Sequence, residues 1–165
     1  MTHIPAGART YLVAGRTPGT GPVIAVLTDG PADVAVAANA ADLAAGTGTL
    51  LITAAAVTSG PGFSLNALLH QARQRCVDRD TRAIVARVAP VLYTAGVAHF
   101  RTTLKVPPGV DATRVLPVTA VHEVIDRFGA VAVVAATPLH DPTGVLQLAG
   151  PHVSTPTDSL PSTRT

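Results

Sequence analysis

Val23-Ile24-Ala25-Val26-Leu27-Thr28-Asp29-Gly30, followed by Pro31, decides how the rest of the chain is read. Its apolar part is short, continuous and rich in β-branched residues, the pattern of a strand buried on both faces of a parallel sheet. Asp29, Gly30 and Pro31 close it with turn chemistry. Ligands of open α/β sheets gather outside the carboxyl ends of such strands. Asp29 is therefore the first candidate ligand residue.

Outward from this strand the pattern alternates. Asp33 to Ala45 is alanine-rich, with Val34, Ala37, Ala38, Ala41 and Ala45 at helical spacings, Asp33 as its N-cap, and Gly46 and Gly48 beyond its end. Leu50 to Val57 is a second strand, so strand, helix and strand form a βαβ unit. Ser64 can open a helix to about Cys76. Asp80 or Thr81 can open another, striped by Ile84, Val85, Val88, Leu92 and Ala95, which Pro90 should kink or break. The bridge from Arg73 to Arg82 mixes both charge signs and reads as a solvated face. Val97 to Val106 alternates like a strand near the sheet's edge. There Phe100, Thr102, Leu104 and Val106 are expected toward the core, and His99, Arg101, Thr103 and Lys105 opposite. Val118 to Phe128 is a helix with Val121, Val124, Ile125 and Phe128 inward, and Ala130 to Ala136 is the most apolar, central strand. Residues 1–21 read as a flexible lead-in, whose apolar island Tyr11-Leu12-Val13-Ala14 is a patch lying on the domain or an extra edge strand, 22–150 as one α/β domain, and the Pro, Ser and Thr of 151–165 as a disordered tail.

Composition narrows the function classes. The 165 residues are 47% hydrophobic and 13% charged, which specifies a folded chain. Twelve Lys and Arg against ten Asp and Glu leave no basic footprint for nucleic acid. The single cysteine, Cys76, excludes an internal disulfide and a multi-cysteine zinc site and suits a reducing cytoplasm. No apolar run reaches the roughly 18 residues of a membrane span, and the first residues lack the apolar core of a signal peptide. His140-Asp141, in the turn-rich loop after the last strong strand, shares a rim with Asp29 and could move a proton. His122 and Asp126 stand four apart on one helix face and read as a surface pair, not a metal site. No Gly-x-Ser-x-Gly elbow is present.

The order of elements from about residue 22 to 137 resembles the universal stress protein family. The likeness rests on Val26-Leu27-Thr28-Asp29-Gly30, the helix directly after it, the strand at Leu50 to Val57, the helix around His122 and the strand at 130–136. It implies a three-layer, doubly wound, mostly parallel sheet of the kind also described as adenine nucleotide alpha hydrolase-like. It implies a non-enzymatic, cytoplasmic stress-response module that forms homodimers. The site residues it implies are Thr28, Asp29, Ala54 and Thr137, around ATP or AMP where a nucleotide binds. The chain departs from the family at Ala136-Thr137-Pro138-Leu139-His140, where nucleotide-binding members carry a glycine-rich run whose amides approach phosphates. Prolines 138 and 142 remove amide donors there. The family's fourth helix is absent, and Val145 to Ala149 stands as a shortened fifth strand. Two other readings stay open: a Rossmann-like or flavodoxin-like enzyme using Asp29 and His140, and a structural partner domain without a ligand.

Overall fold

The computed structural model describes residues 7–60, 66–139 and 146–148, the last three as backbone. Six strands and three helices follow among them: β1 (Arg9–Val13), β2 (Val23–Leu27), α1 (Asp33–Thr47), β3 (Leu51–Thr58), α2 (Ala67–Ala95), β4 (His99–Val106), α3 (Val118–Phe128), β5 (Ala132–Ala135) and β6 (Leu146–Leu148). They form one sheet in the order β4-β3-β2-β5-β1-β6. β4, β3, β2 and β5 run parallel, while β1 is antiparallel to both β5 and β6. The architecture is the expected α/β doubly wound, mostly parallel sheet.

Two cores hold the layers together. On one face, Val23, Ala25 and Leu27 of β2 meet the alanines of α1 and the stripe Ile84, Val85, Val88 and Leu92 of α2. On the other, Ile24, Val26, Ile52 and Leu104 meet Val121, Val124 and Ile125 of α3. Every residue of β2 is buried, as a strand covered on both faces requires. Strand order reverses between β2 and β5, which makes their carboxyl ends the topological switch point.

Several sequence expectations need correction. In α1 the buried stripe is Asp33, Val36, Ala37, Ala40, Ala41 and Ala44, and Val34 is 50% exposed. With alanine nearly everywhere, side-chain size did not mark the phase of the helix. The two helices expected either side of the 73–82 bridge are one continuous α2, capped by the Asn66 side chain accepting the Leu68 amide at 3.0 Å. Ala67–Asp80 is exposed throughout except for half-buried Val77, so it shows no inward stripe to read. Pro90 lies within α2 on its exposed side. In β4, Thr103 shares a 2.8 Å hydrogen bond with Thr81, so the polar row faces α2 and not solvent alone. Phe100, expected in the core, is 62% exposed at the sheet's edge. Ser64 and the 151–165 tail fall outside the described residues.

The largest correction concerns residues 1–21. Arg9–Val13 is not a loose lead-in but a strand inserted between β5 and β6, with Leu12 opposite Ala132 and Val13 opposite Leu146. Tyr11 and Val13 are buried in the core on the α3 side. Arg16 fastens the connection: its guanidinium donates to the carbonyls of Ala130 at 2.6 Å and Ile125 at 3.3 Å, satisfying the end of α3. The same group reaches Asp126 at 3.4 Å. Gly21 follows because a Cβ there would come within 2.4 Å of the Gly129 carbonyl oxygen. The extra-strand alternative for Tyr11 to Ala14 is thus the one the structure takes, with β6 beyond it at the edge; four apolar residues among Gly, Pro and Thr carried too little signal to decide it from sequence.

If β1 is integral, Tyr11→Ala removes a buried ring and lowers stability by about 3 kcal/mol. Urea denaturation followed by circular dichroism measures it, and an unchanged midpoint would mean that the strand is detachable.

Candidate functional site

The carboxyl rim of the parallel strands is built on the turn from β2 to α1. After Leu27 the chain must reverse within a few residues to start a helix. Asp29 makes the reversal by adopting φ 61°, the left-handed region that aspartate tolerates better than most side chains. Gly30 lies so close to Thr28 that a Cβ would sit 3.2 Å from the Thr28 hydroxyl. Asp33 is the first residue of α1 rather than its N-cap, and its side chain turns back to accept the Thr28 amide at 2.9 Å. The Gly30 carbonyl accepts the Asp33 amide at 3.3 Å. The turn is thus held from both ends.

Asp33 is only 3% exposed, and its second oxygen, Oδ2, has no hydrogen-bond partner in the structure. Burial pushes its carboxyl above the ordinary carboxylate value. The amides of Thr28 and Asp29 and the Arg87 guanidinium pull the other way, and the Asp29 carboxylate adds to the rise. A buried carboxylate with one free oxygen is a costly group to keep charged.

α2 supplies the other wall. Asp80, Ala83, Ile84 and Arg87 recur at helical spacing, so one face of α2 looks across the ends of β2 and β3. Arg87 pairs with the Asp29 carboxylate, both side chains remaining more than half exposed. Beside this pair opens a cavity of about 340 Å³, whose floor is Ala56, Val57 and Thr58 of β3.

The expected site residues do not converge on that cavity as a set. Asp29 lines it. Thr28 is half-buried beside Asp29, its amide given to Asp33. Ala54 is fully buried in the core on the α3 side, one pleat below the rim, and Ala56 occupies the corresponding place on it. Thr137 is 3% exposed, and its hydroxyl donates to the carbonyls of Ala112 at 3.0 Å and Thr113 at 3.3 Å. The 111–114 loop is stiffened by Asp111, which accepts the Thr113 amide at 3.0 Å and hydroxyl at 2.6 Å. These bonds hold the Asp111 carboxyl below its usual value. The Thr113 methyl lies 3.9 Å from a Cβ built on Gly30. The loop therefore lies close to the switch point between β2 and β5, and the cavity beside Asp29 lies on the other side of β2, toward β3 and α2. His140 and Asp141 fall outside the described residues.

Arg87, Asp80 and Asp33 were not singled out as site residues from sequence. Arg87 left one signal, a lone cation on a stripe otherwise ending in alanine and valine. Among the described residues no cluster of three or more His, Cys, Asp or Glu could hold a metal. No helix among them is long and apolar enough to cross a membrane.

No protein-family model and no curated protein matches the chain. Two solved structures are similar to it in fold. One is a protein of the universal stress protein family from Burkholderia pseudomallei, with 18% identity over 70% of this chain and 80% of that one and a TM-score of 0.43. The other is a universal stress protein in complex with cAMP, with 17% identity over 70% of this chain and 75% of that one and a TM-score of 0.47.

Because the folded state holds the Asp33 proton more tightly than the unfolded chain does, stability falls as pH rises from the ordinary carboxylate range through the raised folded value. Chemical denaturation at pH 3.5 to 8 should show that fall in the wild type, and Asp33→Asn should flatten it. Equal slopes in the two proteins would show that Asp33 does not titrate as its burial requires.

Proposed function

We propose that the chain is a non-enzymatic, cytoplasmic stress-response module of the universal stress protein kind, which takes a small nucleotide at the Asp29 rim and works as a homodimer. The observation that carries the ligand reading is Asp29 itself. A left-handed backbone at a non-glycine residue costs energy, and here it aims an exposed carboxylate into a cavity at the end of β2. A carboxylate paired with a guanidinium is a strong acceptor, suited to the paired hydroxyls of a ribose.

Charge selects among nucleotides. The cavity lining carries Asp29, which Arg87 pairs, and Asp80, which Arg79 pairs at 3.4 Å. One cation can hold one phosphate, while a triphosphate would meet two carboxylates without the glycine-rich amide cradle that answers them elsewhere. AMP or adenosine is therefore the preferred ligand, ahead of ATP. Thr28 supports the turn, and Ala54 and Thr137 act beneath the rim by packing and by holding the 111–114 loop. The enzymatic alternative needs His140 beside Asp29, and the ion pair with Arg87 suits Asp29 to binding more than to proton transfer.

The dimer reading is supported by the first half of α2. Ala67–Asp80 is a helical arm with Leu68 74% and Leu69 53% exposed, and isolated helices of such length are marginal in water. A second copy of the arm would cover those leucines.

Two measurements follow from this reading. With ligand about a hundredfold above its Kd, AMP or adenosine should raise the Tm by about 5 °C or more, ATP less, and Asp29→Ala should abolish the shift. No shift from any nucleotide favours the structural domain without a ligand. In sedimentation velocity the wild type should run as a dimer and Leu68→Glu with Leu69→Glu as a monomer; a monomeric wild type removes the dimer from the proposal.

A further inference from the structure

Among the described residues β4 is the outermost strand on its side of the sheet, and its eight residues pair only with β3. The direction of its backbone groups can be read from that pairing. The Leu51 amide donates to the Ala98 carbonyl at 3.1 Å and the Ser59 amide to the Val106 carbonyl at 3.0 Å. The Thr53 hydroxyl donates to the Phe100 carbonyl at 3.1 Å. In a parallel ladder a residue presents its amide and carbonyl to the same neighbour, and the next residue presents both to the opposite side. The even-numbered residues of β4 therefore bond to β3. Arg101, Thr103 and Lys105 offer their amides and carbonyls to the free edge.

The edge is neither flat nor neutral. α2 and α3 overhang it on opposite faces and leave a groove of about 390 Å³ along the middle of β4. On the α2 side the groove carries Arg82, Arg101 and Lys105. None of these three forms an ion pair among the described residues. Asp78 is the carboxylate beside them, and Glu123 on the α3 side is already paired with Arg127 at 2.9 Å. Ala120 and Val124 make the α3 side partly apolar.

We infer that the β4 edge is a docking site for an extended acidic segment of another protein, which adds as a further strand with carboxylates on the α2 side and small or apolar side chains on the α3 side. Main-chain bonds to Arg101, Thr103 and Lys105 supply the ladder, and the three uncompensated cations select alternating acidic residues. Edge cations also discourage strand pairing between copies, and the arrangement here explains why a copy is not the occupant. Antiparallel pairing of two β4 strands about Thr103 would set Arg101 against Lys105 twice, a like-charge contact that destabilises a ladder. Nor do the remaining segments of this sequence offer an alternating acidic strand. Residues 1–6, 61–65, 140–145 and 149–165 contain two acids, Asp141 and Asp158, in separate segments.

Fluorescence anisotropy of the full chain with a labelled octapeptide alternating glutamate and valine tests this. Binding is expected, weakened at least about tenfold by Arg101→Glu with Lys105→Glu. It is weakened similarly for the wild type when alternate peptide amides are N-methylated, which removes ladder donors and leaves charge unchanged. A peptide alternating lysine and valine should not bind. The inference is overturned if the glutamate peptide fails to bind, or if N-methylation changes nothing, the mark of a general polyanion patch. It is equally overturned if the edge is occupied by a second copy, seen as a dimer that Arg101→Glu dissolves and Leu68→Glu does not.

Discussion

The hydrogen bond from the Thr28 amide to the Asp33 carboxylate is the constraint on which the rim depends. It closes the turn between β2 and α1 across five residues and so leaves Asp29, between its ends, with little choice of backbone conformation. The strained residue is the one whose carboxylate points outward to Arg87. A side chain that satisfied Thr28 without a second oxygen, such as serine, would do the capping with less desolvation. The chain instead buries a whole carboxyl group, one oxygen used and the other idle.

The same turn draws the 111–114 loop close to the switch point. Gly30 lets the 111–114 loop approach β2, Thr137 ties that loop from below, and Leu116 bridges to Leu139 alongside. The cavity beside Asp29 is displaced by one strand, against α2. Such a cavity is shaped by a helix face and so depends on α2 keeping one straight register through Asp80 and Arg87.

Much of the fold was legible in the sequence because its strongest signals are local. β2, β3, α3 and β5 are continuous or periodic apolar segments, and their order alone specifies a parallel sheet. What was not legible needed partners distant in sequence. β1 is a strand because β5 and β6 flank it. The first half of α2 is helical without an inward stripe, and the phase of α1 is set by sheet contacts that alanine does not reveal. At the site, Asp29 was visible from its place after β2. Ala54 was displaced by one pleat from Ala56, because nothing in an alanine run marks where a strand meets the rim. Arg87 could not be joined to Asp29 without knowing that α2 crosses above it.

The placement of β1 has a temporal consequence. Its partners Ala132 to Ala135 and Leu146 to Leu148 lie more than a hundred residues further along the chain than Arg9–Val13. β2, β3 and β4 can collapse with α1 and α2 by comparatively short-range steps, whereas β5 must reach back over a hundred residues to β2, and β1 has no edge to join until β5 is in place. During synthesis the segment around Tyr11 emerges first and finds its seat last. Contacts of such sequence separation slow folding and prolong the exposure of unpaired edges. A chaperone or a crowded ribosome exit would therefore meet this protein with its β5 edge still open.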